Sequence, residues 1–150
     1  MRDWVTLFHV LSVIVWFGGS IYVEGLMANA RRNGDEGALV AAFRTIGATN
    51  RRLFNFAGIA TVVFGFWLVG ISPAWDFEMI WITVGILLAT IAVVIDLFYV
   101  TPRTDRVERM IDDPEQSDDA VSVVIKQVVN AGHARVGLLF VAFVFMIFKI

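Results

Sequence analysis

Phe8-His9-Val10-Leu11-Ser12-Val13-Ile14-Val15-Trp16-Phe17-Gly18-Gly19 is the heart of an apolar run from Val5 to Met27, and it carries a histidine and a tryptophan inside it. A bilayer core takes about 20 helical residues, so this run is long enough to cross one. An ionisable side chain in hydrocarbon costs roughly 2.5 kcal/mol or more, which makes His9 a functional-site candidate with a partner to be found.

Three further runs share the character of the first: Leu53 to Ile71, Met79 to Val100, and Val136 to Ile150 with a lead-in from Ala131. They are continuous and never alternate with period two, so transmembrane strands are excluded. The 150 residues are 58% hydrophobic and 17% charged, against an apolar share of about 45–50% in soluble domains. The chain therefore reads as one domain, residues 1–150, of all-α class: an integral membrane antiparallel four-helix bundle with spans at about 5–27, 53–71, 79–100 and 131–150.

A net charge of −2 gives no basic surface of the kind nucleic acid requires. Without cysteine there is no disulfide, iron–sulfur cluster or thiolate metal site, which leaves His9, His133, methionines and carboxylates as ligands. Ala28-Asn29-Ala30 looks like a signal-peptidase site, but the preceding run is too long and its basic residues follow it, so the first helix is expected to stay. The segments Arg31–Arg52 and Arg103–Arg135 hold ten of the twelve basic residues. By the positive-inside rule both long loops are expected in the cytoplasm of a bacterial inner membrane, with both termini periplasmic.

The short connection Ser72–Glu78 makes the second and third spans antiparallel neighbours, and Trp4, Trp75 and Trp81 fall where interfacial anchors belong. In the first loop, Ala38 to Arg51 has helical character. In the second, Pro102 is expected to close the third helix. After an acidic stretch, Val121, Val124, Ile125, Val128 and Val129 recur at helical spacing, as in an amphipathic helix lying on or near the membrane. Gly58, Thr61 and Gly65 line one side of the second span, and Gly85, Ala89, Ala92 and Asp96 one side of the third; such small-residue stripes let helices approach closely.

His9, Ser12, Trp16, Ser20 and Glu24 form a stripe down the first helix that should face the bundle interior. As a neutral imidazole, His9 suits haem or copper, with Trp16 packing the pocket; the bland alternative is a histidine hydrogen-bonded to a neighbouring helix. His133 enters near the opposite face, on the order of 20 Å away, so the two histidines do not bracket one haem. Met146 and Met79 come near the level of His9, and His/Met ligation suits haem while imidazole with thioether suits copper(I). Glu24, Asp96, Arg51, Arg52, His133 and Arg135 gather at the inner helix ends as a charge network, with arginine the natural bidentate partner of a buried carboxylate. Glycine-rich phosphate loops, paired histidines at i and i+4 and serine elbows are all missing from the sequence, so any catalysis would be borrowed from a bound cofactor.

Leu7-Phe8-His9, Trp16-Phe17-Gly18-Gly19 and Tyr22 resemble the opening helix of the CopD-type copper-resistance proteins and of the HemJ-type protoporphyrinogen oxidases. With Arg51-Arg52-Leu53-Phe54, Gly65-Phe66-Trp67-Leu68 and the ending Phe148-Lys149-Ile150, the chain looks most like a related group of bacterial predicted integral membrane proteins. The resemblance implies four membrane helices and a first-helix histidine, here His9, as a haem ligand. The leading expectation is a redox-associated protein binding haem b through His9, with Met146 as a further candidate ligand and copper the lesser alternative. A non-catalytic accessory or scaffold subunit of a membrane complex, or a homo-oligomer held through small-residue faces, is the second reading; a proton or ion conduit using Glu24 and Asp96 is the third. Lipid is the partner common to all three.

Overall fold

The computed structural model describes residues 1–34, 36–113, 115 and 118–149. Its elements are α1 (Arg2–Val13), α2 (Gly19–Arg32), α3 (Glu36–Thr49), α4 (Asn55–Ile71), α5 (Ile80–Ile95), α6 (Thr101–Ile111) and α7 (Asp118–Phe148). Three π-helical turns, Ile14–Gly18, Asn50–Phe54 and Asp96–Val100, join α1 to α2, α3 to α4 and α5 to α6 without a break. The result is an all-helical bundle of long antiparallel rods, with no strand among the described residues. Helices are the expected answer to a bilayer, because every backbone donor and acceptor is satisfied within the segment. Four stretches are long and apolar enough to span: Arg2–Ala30, Arg52–Ile71, Ile80–Ile111 and Ala120–Phe148.

Two sequence expectations are corrected here. Pro102 does not close the third helix; it sits in the first turn of α6 and the rod runs on to Ile111. Proline removes one N–H and crowds the carbonyl four residues back, and both difficulties fall at the π turn just before it. There the Thr101 N–H reaches back to the Asp96 carbonyl, and the buried Thr104 hydroxyl donates to the Val100 carbonyl at 2.9 Å. Nor do the valines after Val121 form a separate surface helix. They belong to the first third of α7, where Val124, Val128 and Val129 are buried with Met27, Phe43, Val107 and Met110 in one cluster. Their apolar face finds partner helices, not lipid. The helical segment expected near Ala38–Arg51 is present as α3.

The bundle has two distinguishable ends. Arg2 lies over the Trp75 ring at 5.5 Å and Lys149 over the Trp81 ring at 5.9 Å, while the two tryptophans meet edge to face at 5.8 Å. Both termini and the α4–α5 connection therefore share one end, and α3 and α6 mark the other, the loop end.

Between the ends the packing is close because the facing residues are small. A Cβ on Gly58 would come within 3.0–3.3 Å of the Trp16 indole, and one on Gly65 within 3.3 Å of the His9 ring. The second-span stripe thus receives the first helix. Gly85 lies against Met146, and Ala89 and Ala92 are buried in a cluster with Trp16, Phe54 and Leu139, so the third-span stripe receives α7. The outer faces are large and apolar: Trp4, Phe8, Leu11 and Ile14 on the first span and Phe140 and Phe143 on the last are exposed, as lipid contact requires.

Candidate functional site

The first helix turns its polar stripe inward, and His9 meets α4. Its Nδ1 lies 3.0 Å from the backbone carbonyl of Thr61. A carbonyl only accepts, so Nδ1 carries the proton and Nε2 keeps its lone pair. The arrangement is locked from both sides: the Thr61 hydroxyl donates to its own helix at Ala57 and lies 3.1 Å from the Ser12 hydroxyl, which in turn donates to the His9 carbonyl at 2.8 Å. Sequence reasoning missed Thr61 because its contribution is a main-chain oxygen, which any residue would supply.

Beside the imidazole is a cavity of about 260 Å³ between the spans, lined by His9, Trp16, Thr61, Gly65, Gly85 and Met146 with aliphatic and aromatic groups around them. Glycines 65 and 85 open it, since side chains there would project toward His9 and Met146. His9, Trp16 and Met146, singled out from the sequence, therefore border one space. Met79 does not: it precedes the first turn of α5 and is not among the cavity walls.

Trp16 forms the floor of the cavity and also looks away from it. Its Nε1–H donates to Asp96 Oδ2 at 2.8 Å, and the Arg135 Nη1 donates to Asp96 Oδ1. All three residues are buried at 1–2% exposure, so the pair is fully withdrawn from solvent and lipid. The sequence paired Asp96 with an arginine in bidentate fashion; instead the indole takes the second oxygen and Arg135 Nε is left without a partner. The Trp16 indole as a hydrogen-bond donor was not foreseen, although its place on the same inward face as Asp96 was.

One level nearer the loop end, Glu24 Oε2 lies 3.4 Å from His133 Nε2, with Glu24 mostly buried and His133 mostly exposed. The single network expected from the sequence thus resolves into two groups, Trp16–Asp96–Arg135 and Glu24–His133. Arg52 joins neither and is exposed; the side chain of Arg51 lies outside the described residues. Among the described residues no three His, Asp or Glu side chains gather as a metal-holding group.

A polytopic α-helical protein with four candidate transmembrane helices and a buried polar interior is what this fold and site define. The chain belongs to the family described as "Predicted integral membrane protein (DUF2269)", which matches residues 3–150. No curated protein and no solved structure matches it. The family match sustains the predicted-membrane-protein part of the resemblance drawn from the sequence; it carries no link to the CopD or HemJ types.

Proposed function

We propose that this protein is a redox-associated haem-binding protein of the bacterial inner membrane, in which His9 would hold the haem through Nε2. The observation that carries the reading is the Nδ1–H donated to Thr61, which fixes the tautomer and leaves the other nitrogen's lone pair free on a ring that borders an apolar cavity. Metal-ligating histidines characteristically hold their second nitrogen this way. A single imidazole serves best for a metal that brings its own donors, as a porphyrin does; a bare copper ion would need several protein ligands around it. Met146, on the same cavity, would offer a thioether as a further ligand.

The donors and the apolar walls fit the group. The volume is just under the roughly 300–1,000 Å³ of small-molecule sites, so binding requires rim side chains such as Ile14 and Ile147, both exposed, to swing outward. Bound haem would supply one-electron chemistry. The chain's part is to hold the imidazole through Thr61 and Ser12, to exclude water with Val13, Val62 and Leu139, and to present Trp16 as a rigid floor. Ten of twelve basic residues fall in the segments bordering the loop end, which supports a cytoplasmic loop end and periplasmic termini.

The test is optical. Purified in mild detergent from its native membrane, the protein is expected to show a Soret band that His9→Ala abolishes and Met146→Ala shifts or weakens. A colourless wild-type preparation, or a band unchanged in His9→Ala, overturns the reading.

A further inference from the structure

The interior of α2 and α7 holds two polar atoms without a hydrogen-bond partner, Glu24 Oε2 and Arg135 Nε, and both residues line the same small cavity. Its volume is about 20 Å³ and its remaining walls are apolar, Met27, Phe43, Phe54 and Val128 among them. A water molecule needs at least about 10–15 Å³ of such room and two to four polar partners. An acceptor and a donor are both present. Gly132 completes the site, because a Cβ there would occupy the position of Glu24 Oε1.

We infer that this cavity binds one water molecule, which accepts from Arg135 Nε–H and donates to Glu24 Oε2. The water closes the gap between the two polar groups of the bundle. His133 at the exposed loop end faces Glu24; Glu24 meets the water; the water meets Arg135; Arg135 donates to Asp96, and Asp96 accepts from Trp16, the floor of the His9 cavity. The line is continuous from the loop end to the middle of the bundle. A change of charge at Glu24 is therefore transmitted to the Trp16 indole through hydrogen bonds in a low-dielectric interior, where such chains polarise one another. The ionisable groups facing the water come from α2 (Glu24) and α7 (Arg135, with His133 behind Glu24), and Asp96 lies one bond further on; the other described walls carry no charge. What the line would adjust at its inner end, the electrostatics of a bound haem, rests on the proposed function, but the water site itself does not.

Nitrogen-15 NMR of the full chain in lipid nanodiscs tests it, in a His9→Ala background that removes both the haem ligand and the only other histidine. The Arg135 Nε–H signal, assigned by its loss in Arg135→Lys, is expected to show cross-relaxation with water. The Trp16 indole N–H signal, assigned by its loss in Trp16→Phe, is expected to shift when Glu24→Gln removes the charge at the far end of the line. The Arg135 cross-relaxation is expected to weaken in the same variant while the other indole signals stay in place, and to persist in His133→Ala, a change at an exposed position. Absent water cross-relaxation at Arg135 Nε–H, or a Trp16 indole signal unmoved in Glu24→Gln, overturns the inference. A colourless wild-type protein whose His9→Ala variant shows both effects overturns the haem reading alone.

Discussion

Removing the guanidinium from Arg135 is expected to be the most damaging single change in the bundle interior. Arg135→Ala leaves the Asp96 carboxylate, 1% exposed, with only the Trp16 indole among the described residues to answer its charge. Breaking one side of a buried ion pair costs about 3–5 kcal/mol, because the surviving charge stays desolvated. For a chain of this size 1 kcal/mol is about 2–4 °C in melting temperature, so the loss should read as roughly 6–20 °C. The informative control is the double variant Asp96→Leu with Arg135→Leu. It removes both charges and fills the space with aliphatic carbon, and such replacements are commonly neutral or stabilising. Thermal unfolding in one detergent, followed by helical circular dichroism, compares wild type, single and double variants. A melting temperature for Arg135→Ala within about 2 °C of wild type, or a double variant as unstable as the single, would refute the claim that the pair is held by mutual charge compensation.

The same melting assay checks three further outcomes. Trp16→Phe keeps the aromatic floor but deletes the donor to Asp96; hydrogen bonds between membrane helices average about 0.6 kcal/mol and reach about 1.7, so a loss in that range is expected. Gly58→Ala drives a methyl to within 3.0–3.3 Å of the indole, and overpacking of this kind costs about 1–3 kcal/mol, whereas Gly70→Ala, with nothing near its Cβ, should be close to neutral. Arg44→Ala cuts an ion pair to Asp112 whose two side chains are both mostly exposed, and it should cost less than about 1 kcal/mol; a larger drop would show that α3 and α6 depend on that contact.

The number of spans and the inward faces were legible because hydropathy and small-residue spacing act locally. Gly58, Gly65, Gly85, Ala89 and Ala92 each sit against the neighbouring rod in the structure, as their spacing predicts. The loop-end extensions were less legible. The Val121–Val129 pattern is equally that of a helix on a membrane surface or against other helices, and only the placement of α3 and α6 decides between them. The rule that predicts a stop at Pro102 assumes a regular α-helix before the proline, where this chain has a π turn. The partners within the polar interior were not legible at all: which oxygen of Asp96 meets Trp16, and which carbonyl meets His9, depends on rotations of a few tens of degrees that side-chain periodicity does not resolve.

Those rotations have a common source. π turns inside α-helices are rare and occur frequently at functional sites, and this bundle has three that bear on one level of the interior. Trp16 is in the first, Phe54 ends the second and Asp96 begins the third. Trp16 and Asp96 are hydrogen-bonded, Trp16 and Phe54 share one core cluster, and the Phe54 ring fills the space that Gly19 leaves open. Each wide turn takes in one more residue than an α-turn and so changes the facing of everything beyond it. Without the turn at Asp96–Val100, α6 would meet α3 and α7 on a different face; without the one at Ile14–Gly18, Ser20 and Glu24 would be rotated relative to His9. The irregularities and the buried polar groups therefore belong together. The bundle accepts three wide turns at the level where it hides a carboxylate, a guanidinium and an indole, an arrangement that an apolar bundle held only by small-residue packing has no reason to adopt.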